Sequence, residues 1–131
     1  MMDRSLSSEG RYESVHRDAR DERVVRRGLD GGSDDGHYAA IAPKFVQLTN
    51  DVVFDDLWRR SDLTLRDRSL VTIVALAAIG DDDQLDFYLR RGIESGLTRS
   101  QITEALTHLG FYAGWIRATS AMTAVTRTLG K

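Results

Sequence analysis

Residues Leu63 to Gly80 read LTLRDRSLVTIVALAAIG, and this stretch decides the fold. Thr64 followed by Asp67 forms an N-terminal cap with an acid in the first turn, where negative charge meets the positive end of the helix dipole. Leu70, Ile73, Val74, Ala77 and Ala78 recur at three- and four-residue spacing and predict a buried stripe. Gly80 suits a C-terminal stop. The small residues Ala75, Ala77 and Ala78 would let a second helix approach closely. Arg66 and Arg68 sit in the first turn, where cations oppose the dipole at a small local cost. That cost hints at another role, such as gripping a carboxylate, against the plain alternative of a salt bridge to Asp62 or Asp67. Of the two, Arg68 is the better candidate for a ligand and Arg66 for the ion pair.

Working outward, the pattern stays helical. The single proline, Pro43, opens a helix at a position where its missing N–H costs nothing. Phe45, Leu48, Val52, Val53 and Leu57 carry that helix to about Arg60, and Ser61 and Asp62 mark a turn. After Gly80, Asp81 to Asp83 stand at the start of a helix whose apolar face is Leu85, Tyr88, Leu89 and Ile93, and Gly96 ends it. The acidic run is a solvated helix start rather than a cation site. Thr98 and Gln101 form a capping box, followed by Ile102, Ala105, Leu106 and Leu109. This helix is expected to weaken between Gly110 and Gly114. A last helix carries Ile116, Ala118, Met122, Val125 and Leu129. No segment alternates at period two, so the chain is expected to be all-α, a compact bundle of five to six helices.

The N-terminal part is different. Residues 1–10 are polar and expected to be disordered, with a single domain over 11–131. Residues 11–27 are highly charged and fit one or two short helices. Residues 28–37, GLDGGSDDGH, hold four of the eleven glycines and read as a loop.

Bulk properties narrow the function classes. With 131 residues, one compact domain is the default, and a lone copy has little depth for an enclosed site. A net charge of −2 argues against a dedicated nucleic-acid binder. No apolar run approaches the length of a membrane span, and the N-terminus lacks an apolar signal region, so a cytoplasmic protein is expected. Zero cysteines exclude disulfides, thiolate metal sites and thiol nucleophiles. Of three histidines, His16 and His37 lie in the polar N-terminal part, which disfavours a three-histidine metal site. Glu104, His108 and Tyr112 follow one another at four-residue spacing and share a helix face. The row holds a carboxylate, an imidazole and a phenol, although an exposed Glu–His pair of this spacing is common on helices.

From about Arg11 to Gly130 the chain resembles the carboxymuconolactone decarboxylase family. The residues that carry the resemblance are Leu57-Trp58-Arg59, then Arg66-Asp67-Arg68-Ser69-Leu70-Val71-Thr72 opening the central helix. Next come Gln84-Leu85, Leu89-Arg90, Gly96-Leu97-Thr98 and Ile102-Thr103-Glu104-Ala105-Leu106, and last Tyr112-Ala113-Gly114. The resemblance implies an alkylhydroperoxidase D-like helical fold, assembled as a homo-oligomer, trimer or hexamer, with sites at subunit contacts. The family usually has histidine where this chain has Tyr88, and proline where it has Ser61 and Ile116. A distant branch carries a C-x-x-C-x-x-x-H motif whose frame falls on Asp81, Gln84 and Tyr88. None of the required residues is present, which excludes thiol peroxidase chemistry.

The resemblance implies a decarboxylase that needs no metal or organic cofactor and acts on a small carboxylated unsaturated lactone or β-keto-type acid. Electrons released with CO2 pass into the substrate's own conjugated carbonyl. The protein must hold carboxylates, stabilise an enolate oxygen and return a proton to carbon. In that frame His108 is the general acid or oxyanion donor, since it is the one histidine outside the polar N-terminal part. Glu104 orients it, and Tyr88 supports the oxyanion in place of the family histidine or else serves as a core aromatic. Arg66, Arg68, Tyr112 and Trp115 are candidate substrate contacts, with packing the stronger role for Trp115. The alternatives are a re-specialised isomerase, tautomerase or secondary-metabolism enzyme on an aromatic-derived substrate, and a non-catalytic helical oligomer that binds a small molecule.

Overall fold

The computed structural model describes residues 38–130, and among them the secondary structure is entirely helical, as expected. The expectations for residues 1–10 and for the helices and loop between 11 and 37 lie outside the described residues. The chain divides into two compact units at Thr64 and Leu65.

The described part of the first unit holds α1, Pro43–Leu48, with proline in the first turn. A continuous helix to Arg60 was the expectation, and it is not what forms. From Thr49 to Phe54 the helix widens into a π-helix, and after a turn Leu57–Arg59 makes a single 3-10 turn. At the start of this stretch Thr49 turns its hydroxyl back onto the Phe45 carbonyl at 2.8 Å. Phe54 and Trp58 are buried, and Arg59 reaches back to Asp55 at 3.1 Å.

The second unit is a bundle of α2, Leu65–Ile79; α3, Asp82–Glu94; α4, Arg99–Ala113; and α5, Trp115–Leu129. Helix α2 packs on α3 and α4, and α5 packs on all three others. Ile73, Leu85, Leu89, Ile102 and Leu106 form the heart of the core and are fully buried. Burying each such side chain contributes on the order of 1.5–3 kcal/mol. Of the stripe predicted for α2, Ile73 and Ala77 are buried while Leu70, Val74 and Ala78 are half-buried against the core, and the sequence hid one buried member. Ser69 is fully buried and donates to Ser95 Oγ at 3.3 Å, while Ser95 donates to the Arg91 carbonyl at 2.8 Å. This chain of hydroxyls satisfies a polar pair that burial would otherwise penalise.

The starts of α3 and α4 and the end of α2 follow the predicted signals. Asp81 accepts from the Gln84 N–H at 3.2 Å at the start of α3. Thr98 and Gln101 close a reciprocal capping box at 3.0 and 2.9 Å. Gly80 ends α2 at φ +81°. Two expectations need correction. Helix α4 does not weaken at Gly110 but runs to Ala113. Gly110 is instead the seat of the Trp115 ring, since a Cβ there would lie 2.6 Å from it. Ile116 does not join the inward stripe of α5, because Trp115 takes the place over Gly110 and Ile116 is left 85% exposed.

Candidate active site

A cleft of about 1070 Å³ opens between α2 and α4. One wall is Arg66, Leu70, Val71, Val74 and Ala75 of α2, and α4 contributes Ser100, Gln101, Glu104, Ala105, His108, Leu109 and Tyr112. The volume is more than enough to admit a small organic acid. The wall exists because the second half of α2 has no polar face. Ile73 and Ala77 turn into the core, while Val71, Val74 and Ala75 turn toward the cleft.

The two walls run in the same direction. Arg66 Cδ lies 4.0 Å from where a Cβ at Gly96 would stand, which places the start of α2 beside the turn that leads into α4. At the far end, the Gly80 turn meets Arg117 of α5, which follows the end of α4. The cleft therefore has a cationic end at Arg66, Ser100 and Gln101. His108 follows seven residues beyond Gln101, roughly 10 Å along the helix at 1.5 Å per residue.

The predicted row on α4 is brought together. Glu104, His108 and Tyr112 all line the cleft. The His108 and Tyr112 rings stack with centroids 5.0 Å apart and planes 20° from parallel. Neither Glu104 nor His108 makes a hydrogen bond or ion pair with another described residue. Glu104 thus shares the cleft with the imidazole without bonding to it.

The two arginines part company, and Arg66 makes the expected ion pair. Arg66 lines the cleft, and it also pairs with Asp67 at 2.9 Å. Arg68 does not line the cleft, and its carbonyl takes the Thr72 hydroxyl at 2.8 Å. Tyr88 is not at the cleft either. It packs on the bundle core and meets Phe87 edge to face at 4.9 Å. Burial pushes its phenol above the ordinary value, and the charge of Arg91 offsets part of that rise. Tyr88 therefore stays protonated at neutral pH and can donate but not accept a proton as a base. Arg91, which drew no attention as sequence, is only 2% exposed and sits 5.9 Å from the Phe87 ring centre. Trp115 is absent from the cleft lining. It covers Gly110 and meets Phe111 edge to face at 5.7 Å. Ser100, Gln101 and the aliphatic wall of α2 were missed. Only the signal of the capping box pointed at Gln101, and it pointed to structure rather than to a site.

Beside the mouth of the cleft, at the corner between α4 and α5, four large side chains are exposed: Phe111 by 78%, Tyr112 by 81%, Trp115 by 60% and Ile116 by 85%. Among the described residues no helix is long and apolar enough to cross a membrane.

Known proteins are similar to this chain in sequence. The chain is 29% identical over 120 residues to the 4-carboxymuconolactone decarboxylase of Acinetobacter baylyi, covering 89% of this chain and 85% of that protein. It is 26% identical over 129 residues to the nitrosuccinic acid decarboxylase npaB of Metarhizium robertsii, covering 95% and 90%. The sequence pattern of one family matches residues 43–127, from the proline of α1 to near the end of α5 and across the whole cleft. By that match this chain belongs to the carboxymuconolactone decarboxylase family.

Proposed function

We propose that the chain is a carboxy-lyase that releases CO2 from a small, electron-poor acid through a delocalised carbanion and needs no cofactor to do so. The observation that carries this reading is the convergence of Arg66, Glu104 and His108 on one largely apolar cleft. The two relatives, each named as a decarboxylase, support it.

The chemistry follows from charge. The carbon–carboxylate bond breaks, CO2 departs, and the bonding pair moves into an adjoining acceptor. In an unsaturated lactone or β-keto acid the acceptor is the carbonyl, which becomes an enolate. His108 as imidazolium then gives its proton to carbon and recovers one from water, which reaches it because the ring is exposed. The net change is one carboxylate and one proton converted to CO2 and a C–H bond. Glu104, one turn earlier, balances the imidazolium charge. Arg66 belongs on a carboxylate that the product keeps. A cation on the departing group would stabilise the ground state and lose its partner as CO2 forms, which slows the reaction.

The substrate class is a carboxylated unsaturated lactone resembling 4-carboxymuconolactone, or a β-keto-type acid. The second relative is named for a nitro acid, and a nitro group is an acceptor of the same kind. The exposed corner of Phe111, Trp115 and Ile116 supports a homo-oligomer in which a second copy packs on that corner, beside the mouth of the cleft. Ile116→Asp is then expected to shift the mass in light scattering toward the single chain.

The deciding experiment offers the purified chain 4-carboxymuconolactone and nitrosuccinate and measures CO2. Release above the uncatalysed rate, lost in His108→Ala, supports the proposal. A chain that binds either acid without releasing CO2 would be a binding protein, and equal turnover by His108→Ala would remove His108 from the mechanism.

A further inference from the structure

We infer that Tyr112 serves His108 rather than the substrate, with its ring and not its hydroxyl fixing the imidazole in the cleft. This rests on the role proposed above for His108, and it changes the part expected of Tyr112, which as sequence reads as a substrate contact.

Helix geometry sets the direction of the effect. A helical side chain leans toward the N-terminus and covers the turn before its own Cα. Tyr112 therefore lies on His108, just as His108 lies toward Glu104. The rings are parallel to within 20° at 5.0 Å, an arrangement in which the face of one aromatic attracts the other. The attraction persists when the imidazole is protonated, because the phenol face draws a cation.

His108 is exposed and makes no hydrogen bond or ion pair with another described residue. The charged groups that share the cleft with it are Glu104 on its own helix and Arg66 on α2, and neither is bonded to it. An exposed imidazole restrained by no hydrogen bond samples several rotamers, only one of which aims a nitrogen at a given carbon. The stack selects one of them before substrate arrives. A proton donor displaced by about 1 Å can lose on the order of a hundredfold in rate, so a modest restraint has kinetic weight. The Tyr112 hydroxyl has no bonded partner among the described residues, so the stack does not depend on it.

The test compares Tyr112→Phe with Tyr112→Leu in the full chain, both at a position exposed enough to leave folding intact. Two readouts are taken. The first is the NMR signal of the His108 imidazole carbon-bound protons, identified by its loss in His108→Gln, which a stacked ring shifts upfield. The second is kcat and KM for whichever acid the chain decarboxylates. Tyr112→Phe should keep the upfield position and hold kcat and KM within about twofold, while Tyr112→Leu should release the shift and lower kcat about tenfold at unchanged KM. A raised KM in Tyr112→Phe would show that the hydroxyl binds substrate, and an unmoved imidazole signal in Tyr112→Leu would show that no stack exists. Either result overturns the inference. If neither acid is turned over, the NMR comparison still decides the stack, so failure of the enzymatic reading stays separate from failure of this one.

Discussion

The seam between α3 and α5 and the cleft between α2 and α4 use the same kinds of residue to opposite ends. In the seam, every polar side chain named here is closed by a partner. Asp86 takes Arg127 Nη2 at 2.8 Å and Thr128 Oγ1 at 2.6 Å, and Asp82 takes the Ser120 hydroxyl at 3.0 Å. In the cleft, Glu104 and His108 carry charge and bonding capacity with no such closure. The seam spends its polar groups on joining helices. The cleft keeps its polar groups open to a visitor, and the apolar wall of α2 strengthens what they can do by thinning the water around them.

This contrast can be broken in several ways. The largest expected effect is in the cleft: His108→Ala should lower kcat by roughly 10²- to 10⁴-fold, the usual contribution of a placed proton donor, with an unchanged melting temperature. In the core beside the seam, Leu89→Ala should do the reverse. It removes a fully buried side chain, costs about 2–5 kcal/mol of stability and leaves kcat of the folded fraction intact, as denaturant unfolding alongside turnover would show. Third, Arg66→Met should raise KM about tenfold, the loss of one charge-assisted contact, while Arg68→Met should not. If Arg68→Met proves the more harmful, the cleft has been drawn on the wrong face of α2.

The smallest effect concerns pH. Hydrogen bonds from Arg127 hold the Asp86 carboxyl below its ordinary value, outweighing the opposing effect of burial. A depressed value means the native state prefers the ionised form. The stabilisation is therefore present above about pH 4, the ordinary carboxylate range, and fades as pH falls through the lower native value. The pair is partly solvated, so Asp86→Asn should lower the melting temperature only slightly at pH 7, and the gap from wild type should narrow at pH 3. A gap that widens in acid would refute the assignment.

Much of this was legible in the sequence, for physical reasons that also explain the rest. The row Glu104, His108, Tyr112 could be read because spacing along one helix fixes which side chains share a face. The caps at Asp81 and Thr98 could be read because they are local. What failed depends on how one helix is rotated against another. Arg66 and Arg68 lie two residues apart, about 200° around the helix at 3.6 residues per turn, so they cannot both face the cleft. Spacing alone does not say which does. Tyr88 occupies the frame position of a family histidine, yet α3 turns it onto the core. Gly110 looked like a weak point because glycine lowers helix propensity, whereas its value is the missing side chain under Trp115.

Gly114 carries a further consequence. It joins α4 to α5 at φ +105° and ψ 148°, a conformation almost closed to residues of natural handedness. Yet among the described residues no atom beyond its two chain neighbours lies within 4 Å of the place where its Cβ would point. The restriction is thus one of chirality and not of room. L-alanine at this corner should therefore destabilise the fold even though nothing crowds its methyl group.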